Sequence, residues 1–344
     1  EPFEKATYKN SMRVKVKFAD QTLLIPIQPS EQEKTISWLT LQARQRYFNM
    51  FLLLPSLTLS TQDGTVLCQS DIINTVLLDS DVLTANVSAW ERPRLEERYE
   101  QACRLSLNEP NKNVSSALQQ SENIGHLPLT DFGLGLSALQ PVFQALEGQK
   151  TLTELRLNGN RLGDSGIVSL MKVLVTLPVL KVLMLDGNNI SADGINGISF
   201  VLKSETCLQS LTTLSLSHNC LDDIASEPLT SVIEKLPELK SLNLSSCGFS
   251  VKVFTTSFCD ALRGCQLEYL NIAENQIKDE GIKHLLKVLH PDTLISLNIS
   301  HTRTASETDI GPALEQFVTA GCCLQELCVA GCYLSTDDIN CINR

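Results

Sequence analysis

The chain has 344 residues, 43% of them hydrophobic, and a formal net charge of −11. That acidic balance is the opposite of what a phosphate-gripping protein carries, so direct nucleic-acid binding is not expected. No apolar run approaches the roughly 18 residues needed to span a bilayer, so no membrane association is expected. The 12 cysteines are scattered instead of framing a small secreted domain, and they read as reduced thiols.

Taken in chain order, residues 1–12 lack periodicity and read as a tail or linker. The opening Glu1-Pro2-Phe3 has no initiator methionine and suggests a piece of a larger protein. Arg13-Val14-Lys15-Val16-Lys17-Phe18 alternates charged with apolar residues, and Thr22-Leu23-Leu24-Ile25-Pro26-Ile27 follows after a turn. Two antiparallel strands are predicted. From Ser30 to Phe48 the spacing becomes helical, with Ser30 as N-cap and Glu33 three residues on. Leu57-Thr58-Leu59 and Val66-Leu67 read as strands around the hairpin turn Asp63-Gly64, Ile72-Ile73 as a short helix, and Val82–Val87 as a last strand. This order over residues 13–90 looks like a ubiquitin-like β-grasp domain. No diglycine ends it, which argues against conjugation and leaves a docking surface or a rigid cap. Residues 91–123 carry two helical stretches, Arg94–Cys103 and Val114–Gln120, read as a linker and N-terminal cap.

Residues 124–344 repeat the pattern L-x-x-L-x-L-x-x-N/C-x-L eight times, starting at Ile124, Leu152, Leu180, Leu211, Leu239, Leu267, Leu294 and Leu324. The steps of 28, 28, 31, 28, 28, 27 and 30 residues sit in or just beyond the period of about 20–29 for leucine-rich repeats. Positions four and six alternate as a strand does and should point into the core. Position nine (Asn160, Asn188, Asn219, Cys247, Asn275, Cys332) sits where a turn needs a side-chain partner for buried backbone. Phe132 in the first repeat and Thr302 and Thr304 in the seventh depart from this template. A second segment of helical spacing follows each turn, as in Gly166–Leu174 and Gly281–Leu289. The fold class expected is α/β: a ribonuclease-inhibitor-like leucine-rich-repeat horseshoe with an inner parallel sheet, preceded by the β-grasp domain.

Enzyme motifs are missing, and no cofactor is expected. His218 and His301 share template position eight but are two repeats or more apart, so they read as solvated edge residues. Cys322, Cys323, Cys328 and Cys332 cluster in sequence but straddle a predicted strand, which disfavours zinc. The informative surface is the inner face, where positions three, five and seven should point off the concave sheet. The candidate partner-binding residues there are Glu154, Arg156, Asn158, Val182, Met184, Asp186, Thr213, Ser215, Asn243, Tyr269, Asn271 and Asn298. Met184 and Tyr269 stand out as anchors among small and hydroxylated neighbours.

The pairing of Val82–Trp90 at the end of a β-grasp domain, the helix with Glu97-Arg98-Tyr99-Glu100-Gln101-Ala102-Cys103, and the repeats resembles the C-terminal part of the Tonsoku-like proteins. Leu24–Ile27, Trp38-Leu39 and Gln45-Arg46-Tyr47 look like that family too. The resemblance implies a nuclear scaffold on chromatin at damaged replication forks, acting in homologous recombination. It implies docking of a large helical repair subunit and, directly or through it, support for a RecA-like recombinase. Histone reading belongs to the family's upstream ankyrin part and is not expected of this chain. Ribonuclease-inhibitor-like repeats also occur in GTPase-activating proteins, with Arg156 or Arg161 then acting on a GTPase, and in actin-binding or immune-ligand modules; these stay open as alternatives.

Overall fold

The computed structural model describes residues 11–303, 310–320 and 323–342. The chain divides into two compact units, residues 1–109 and 110–344. In the first, β1 (Met12–Lys17), β2 (Thr22–Ile27), β3 (Leu54–Ser60) and β4 (Val82–Glu91) form a sheet of order β2-β1-β4-β3. β1 and β4 run parallel and the other neighbours antiparallel. The alternation of β1 buries Val14 and Val16 and exposes Arg13, Lys15 and Lys17. On the buried face lies α1 (Ile36–Phe51), whose Ile36, Leu39 and Ala43 are fully enclosed with Ile25, Leu59 and Leu83.

The helix begins later than the sequence spacing predicts. Pro29–Glu31 instead form a separate 3-10 turn, in which the Glu31 carboxylate accepts the Gln28 N–H at 2.8 Å. The first helical N–H groups, of Ile36 and Ser37, donate to the Asp71 and Gln69 carbonyls at 2.8 and 3.0 Å. Long-range backbone bonds, not a local cap, therefore set the start. Val66-Leu67 is likewise no full strand; Val66 makes a single bridge to Ser60. The short helix is α2 (Ile73–Val76), and β4 continues past Val87 so that Trp90 packs at a tilt of 45° against Tyr47, 5.0 Å between ring centroids. The helix α3 (Leu95–Leu105) packs in this first unit, with Ala102 against Phe48 and Leu52 and Gln101 Nε2 donating to the Asn49 carbonyl at 3.0 Å.

The second unit opens with α4 (Lys112–Ile124). Asn111 caps its start, accepting from the Asn113 N–H at 2.9 Å, and Val114 and Leu118 are fully buried on its inner side. Thus α3 and α4 divide between the units, although the sequence reading joined them in one cap. Ile124, read as the first position of the first repeat, is the exposed last residue of α4. Gly125 then turns the chain with φ +70°, where a Cβ would sit 2.7 Å from the Thr151 carbonyl oxygen.

Eight parallel strands follow in sequence order: β5 (His126–Pro128), β6 (Glu154–Arg156), β7 (Val182–Met184), β8 (Thr213–Ser215), β9 (Ser241–Asn243), β10 (Tyr269–Asn271), β11 (Ser296–Asn298) and β12 (Glu326–Cys328). The helices between and after them are α5 (Leu136–Leu146), α6 (Gly163–Leu174), α7 (Ala192–Ser204), α8 (Ser226–Ile233), α9 (Thr256–Gly264), α10 (Lys278–Val288), α11 (Gly311–Thr319) and α12 (Thr336–Ile342). Each strand occupies template positions three to five, and neighbours pair without slippage, Leu155 on Leu183 on Leu214 on Leu242 on Leu270 on Leu297. Positions four and six are at most 3% exposed from Leu127 to Ile299, which forms the continuous core of stacked repeats.

The asparagines at position nine work in alternation. In even repeats Asn160, Asn219 and Asn275 reach back to the preceding repeat: Oδ1 of Asn219 accepts the N–H groups of Asn188 and Ile190, and Oδ1 of Asn275 those of Cys247 and Phe249, all at 3.0 Å. Asn160 Oδ1 accepts from Leu134 at 2.9 Å. Odd repeats are held through position nine's main chain, whose carbonyls at Asn188, Cys247 and Thr302 accept from Gly163, Asp222 and Lys278 at 2.9 to 3.0 Å. A main-chain bond does not depend on the side chain. This is the physical reason that Cys247 and Thr302 can stand at odd repeats, and Thr302 satisfies itself by donating to the Ile299 carbonyl at 2.6 Å; Cys332, in the even eighth repeat, departs from the alternation and also donates to the Ile299 carbonyl. Between repeats, Asp164 accepts from Ser191 N and Oγ, and Asp223 from Ser250 N and Oγ. The seventh repeat has Ala305 at the position of those serines, and Asp279 there pairs with buried Arg303. Thr304, the other departure from the template, lies outside the described residues.

Candidate partner-binding face

Positions three and five of β6 to β11 point off the sheet opposite the core, as the template requires. Glu154, Arg156, Val182, Met184, Thr213, Asn243, Asn271 and Asn298 are part-exposed, and Tyr269 is exposed at 45%. Position seven differs from expectation. It falls beyond the strand, in the turn, where Asn158 and Asp186 stay accessible while Ser217, Ser245, Ala273 and Ser300 are buried. Ser215 also fails as a contact residue: it is 1% exposed and its hydroxyl is committed to the Asp186 carboxylate. Asp186 Oδ1 further accepts the Ser217 N–H at 2.9 Å, and Asn158 Oδ1 accepts the Asp186 N–H at 3.3 Å.

The next three strands carry one amide each in register, Asn243 beside Asn271 beside Asn298. Each Oδ1 accepts the N–H two residues on, of Ser245 at 3.1 Å, Ala273 at 3.1 Å and Ser300 at 3.0 Å. That leaves every Nδ2 group as a donor toward the open face. Met184, Tyr269 and these amides line one shallow depression of about 290 Å³ together with Ser241, Ser296, Glu326 and Cys328. Glu326 and Cys328 were not among the residues expected, although the template marks them at positions three and five of the eighth repeat.

Charge on this face is internally balanced at one end. Arg156 Nε pairs with the Glu154 carboxylate, and His126 Nδ1 lies 3.8 Å from its other oxygen. At the far end Glu326 accepts from Ser296 Oγ at 2.9 Å. Burial, and then the Glu326 carboxylate beside it, raises the Cys328 thiol pKa and keeps it protonated. The other cysteines of that group stand apart. Cys332 is in the core with Sγ donating to the Ile299 carbonyl at 2.9 Å, Cys323 is exposed, and Cys322 lies outside the described residues. Burial pushes the Cys247 thiol up to about 12, as suits a small core residue. His218 and His301 are exposed at position eight with φ of 53° and 55°, serving the turn. The face therefore offers anchors, amide donors and hydroxyls; what it can do is hold another macromolecule.

Stacked strands, helices and an asparagine ladder define a leucine-rich-repeat protein. The leucine-rich-repeat family matches residues 148–171, 207–225 and 265–286. Over nearly its whole length the chain is also similar to Tonsoku-like proteins: 33% identical to that of Mus musculus over 92% of this chain, 30% to that of Bos taurus over 97%, and 31% to that of Danio rerio over 84%. The chain is thus a relative of the Tonsoku-like proteins, as its short segments suggested. It spans about a quarter of the length of the mouse and bovine relatives, 24% of each.

Proposed function

We propose that this chain is a non-enzymatic docking module of a nuclear scaffold that acts on chromatin at damaged replication forks in homologous recombination. Its concave face holds a large helical repair subunit and, directly or through it, supports the RecA-like recombinase. The observation that carries this reading is the accessible row of Met184, Tyr269 and three in-register asparagines on a chain related throughout to Tonsoku-like proteins. Anchors surrounded by polar groups that exclude water are where binding energy concentrates. The N-terminal unit is read as a ubiquitin-like β-grasp domain, supported by the parallel β1–β4 pair at the middle of its sheet and the single long helix across one face. Of the two arginines on which GTPase activation would rest, Arg156 is paired with Glu154 and Arg161 is exposed; faster GTP hydrolysis by a small GTPase in the presence of the chain is the outcome that would favour that reading.

The test is affinity purification from nuclear extract with the chain as bait, beside the Met184→Glu/Tyr269→Ala variant. Recovery of a large helical subunit and the recombinase is expected, reduced about tenfold or more by the double change. Recovery of a small GTPase or actin instead overturns the assignment, and undiminished recovery with the variant moves the site off the concave face.

A further inference from the structure

Because the strands of the repeats pair without slippage, like template positions stand side by side and form rows that cross the strands. The row at position five carries Asn243, Asn271 and Asn298. Each holds its Oδ1 against an N–H of its own turn, and no Nδ2 group of the three makes a hydrogen bond among the described residues. In the row at position three the exposed Tyr269 ring stands between two small neighbours, Ser241 and Ser296. The face thus presents three spaced donors beside one raised anchor.

The spacing of the donors selects the shape of what they can hold. Neighbouring strands lie about 4.8 Å apart, so the three amides span about 9.6 Å. In an α-helix, residues i, i+4 and i+7 share a face and rise about 10.5 Å. In an extended chain the residues on one face are i, i+2 and i+4, which span about 13.5 Å. The helix misses the row by about 1 Å, which side-chain rotation absorbs, and the strand misses it by about 4 Å. From Met184 to Cys328 the row crosses five strand gaps, about 24 Å, the length of about 16 helical residues.

Charge then restricts the chemistry. From position three to position eight of the six repeats that hold β7 to β12, the chain has three carboxylates, Asp186, Glu274 and Glu326, two histidines, His218 and His301, and no lysine or arginine. The three carboxylates accept from hydroxyl, thiol or main-chain groups and make no ion pair among the described residues. At the leading edge of the strands, Lys240 is paired with Glu268, and Lys181 stands one residue before β7. The face itself is therefore acidic, and a cation set over the amide row would meet donors without acceptors.

Resting on the reading of this face as a docking site, we infer that its occupant is one basic α-helix lying across the strands. Glutamine or asparagine side chains at i, i+4 and i+7 accept from Asn243, Asn271 and Asn298, an apolar side chain packs on Tyr269, and lysine or arginine faces Glu274 and Glu326. A neutral acceptor satisfies the amides without adding to the acidic excess, and the flanking cations answer it.

The test places a diazirine-bearing amino acid at position 243, 271 or 298 of the full chain, one at a time, and maps the residues it cross-links in proteins retained from nuclear extract. The expected cross-links fall in one segment and advance by three or four residues per repeat, so that those from 243 and 298 lie about seven apart. Steps of one or two residues, or cross-links on unconnected segments, overturn the helix and leave the concave site standing. Retained partner with no cross-link from any of the three positions, or no retained partner, removes the concave site and this inference together. A labelled synthetic peptide of the cross-linked segment should bind the full chain by fluorescence anisotropy, about tenfold more weakly with proline at its centre and about fivefold more weakly to Glu326→Lys. Equal binding of the proline peptide overturns the helical occupant, and unchanged or tighter binding to Glu326→Lys overturns its basic character. Far-ultraviolet circular dichroism checks that Glu326→Lys, a change at an exposed side chain, leaves the repeats folded.

Discussion

Asn188 and Asn219 occupy the same template position and are equally buried, yet they are tied in differently. Asn219 uses both ends of its amide, donating to the Leu185, Leu216 and Ser217 carbonyls and accepting two N–H groups. Asn188 donates to Leu157 and Asp186, and its Oδ1 has no donor. Changing Asn219 to Cys strips acceptors from two buried N–H groups, each worth about 1–3 kcal/mol when left unmade. Asn188→Cys copies what Cys247 does in the next odd repeat, with Sγ donating to the Leu216 and Ser245 carbonyls at 3.3 and 3.4 Å. Urea denaturation should therefore give a loss of about 2 kcal/mol or more for Asn219→Cys and under about 1 kcal/mol for Asn188→Cys. Equal losses would mean the alternation carries no energy.

At the scale of the element, every strand of the repeats is followed, three residues on, by a left-handed residue at position eight. Asp131, Gly159, Gly187, His218, Ser246, Glu274, His301 and Gly331 all have φ between 49° and 66°. Only glycine adopts this conformation freely. Gly187 has nothing within 3.7 Å of a built Cβ, so Gly187→Ala tests the backbone term alone. A loss of about 1 kcal/mol is expected, the left-handed penalty less the unfolded-state gain, whereas His218→Gly should cost nothing by the same thermal melt. Much of this array was legible in the sequence, because leucines at fixed spacing dictate strand register and core. The left-handed turn was hidden, since three glycines among eight residues do not announce a shared φ. The late start of α1 was hidden too, because the acceptors of its first N–H groups lie more than thirty residues downstream. Of the candidate face, the outward side of each strand followed from alternation. The burial of Ser215 did not, as it depends on Asp186 reaching across from the neighbouring repeat.

For the molecule as a whole, two units with separate cores imply two transitions that different probes can separate. Both tryptophans of the chain, Trp38 and Trp90, lie in the first unit, whereas the larger share of the helix belongs to the repeats. Tryptophan fluorescence thus follows the first unit and far-ultraviolet circular dichroism chiefly the second. Leu270, 3% exposed in β10, stacks between Leu242 and Leu297. An aspartate there is a charge buried without a partner, costing several times the roughly 1 kcal/mol of an average point substitution. Because each repeat leans on its neighbours, the damage should spread along the array. Leu270→Asp is expected to lower the dichroism midpoint and broaden its transition while leaving the fluorescence midpoint in place. Val16→Asp, which buries a charge in the first unit's core, should do the reverse. If either substitution moves both midpoints together, the units fold as one cooperative body; if Leu270→Asp melts normally by both probes, Leu270 does not face the core and the register assigned to the repeats fails.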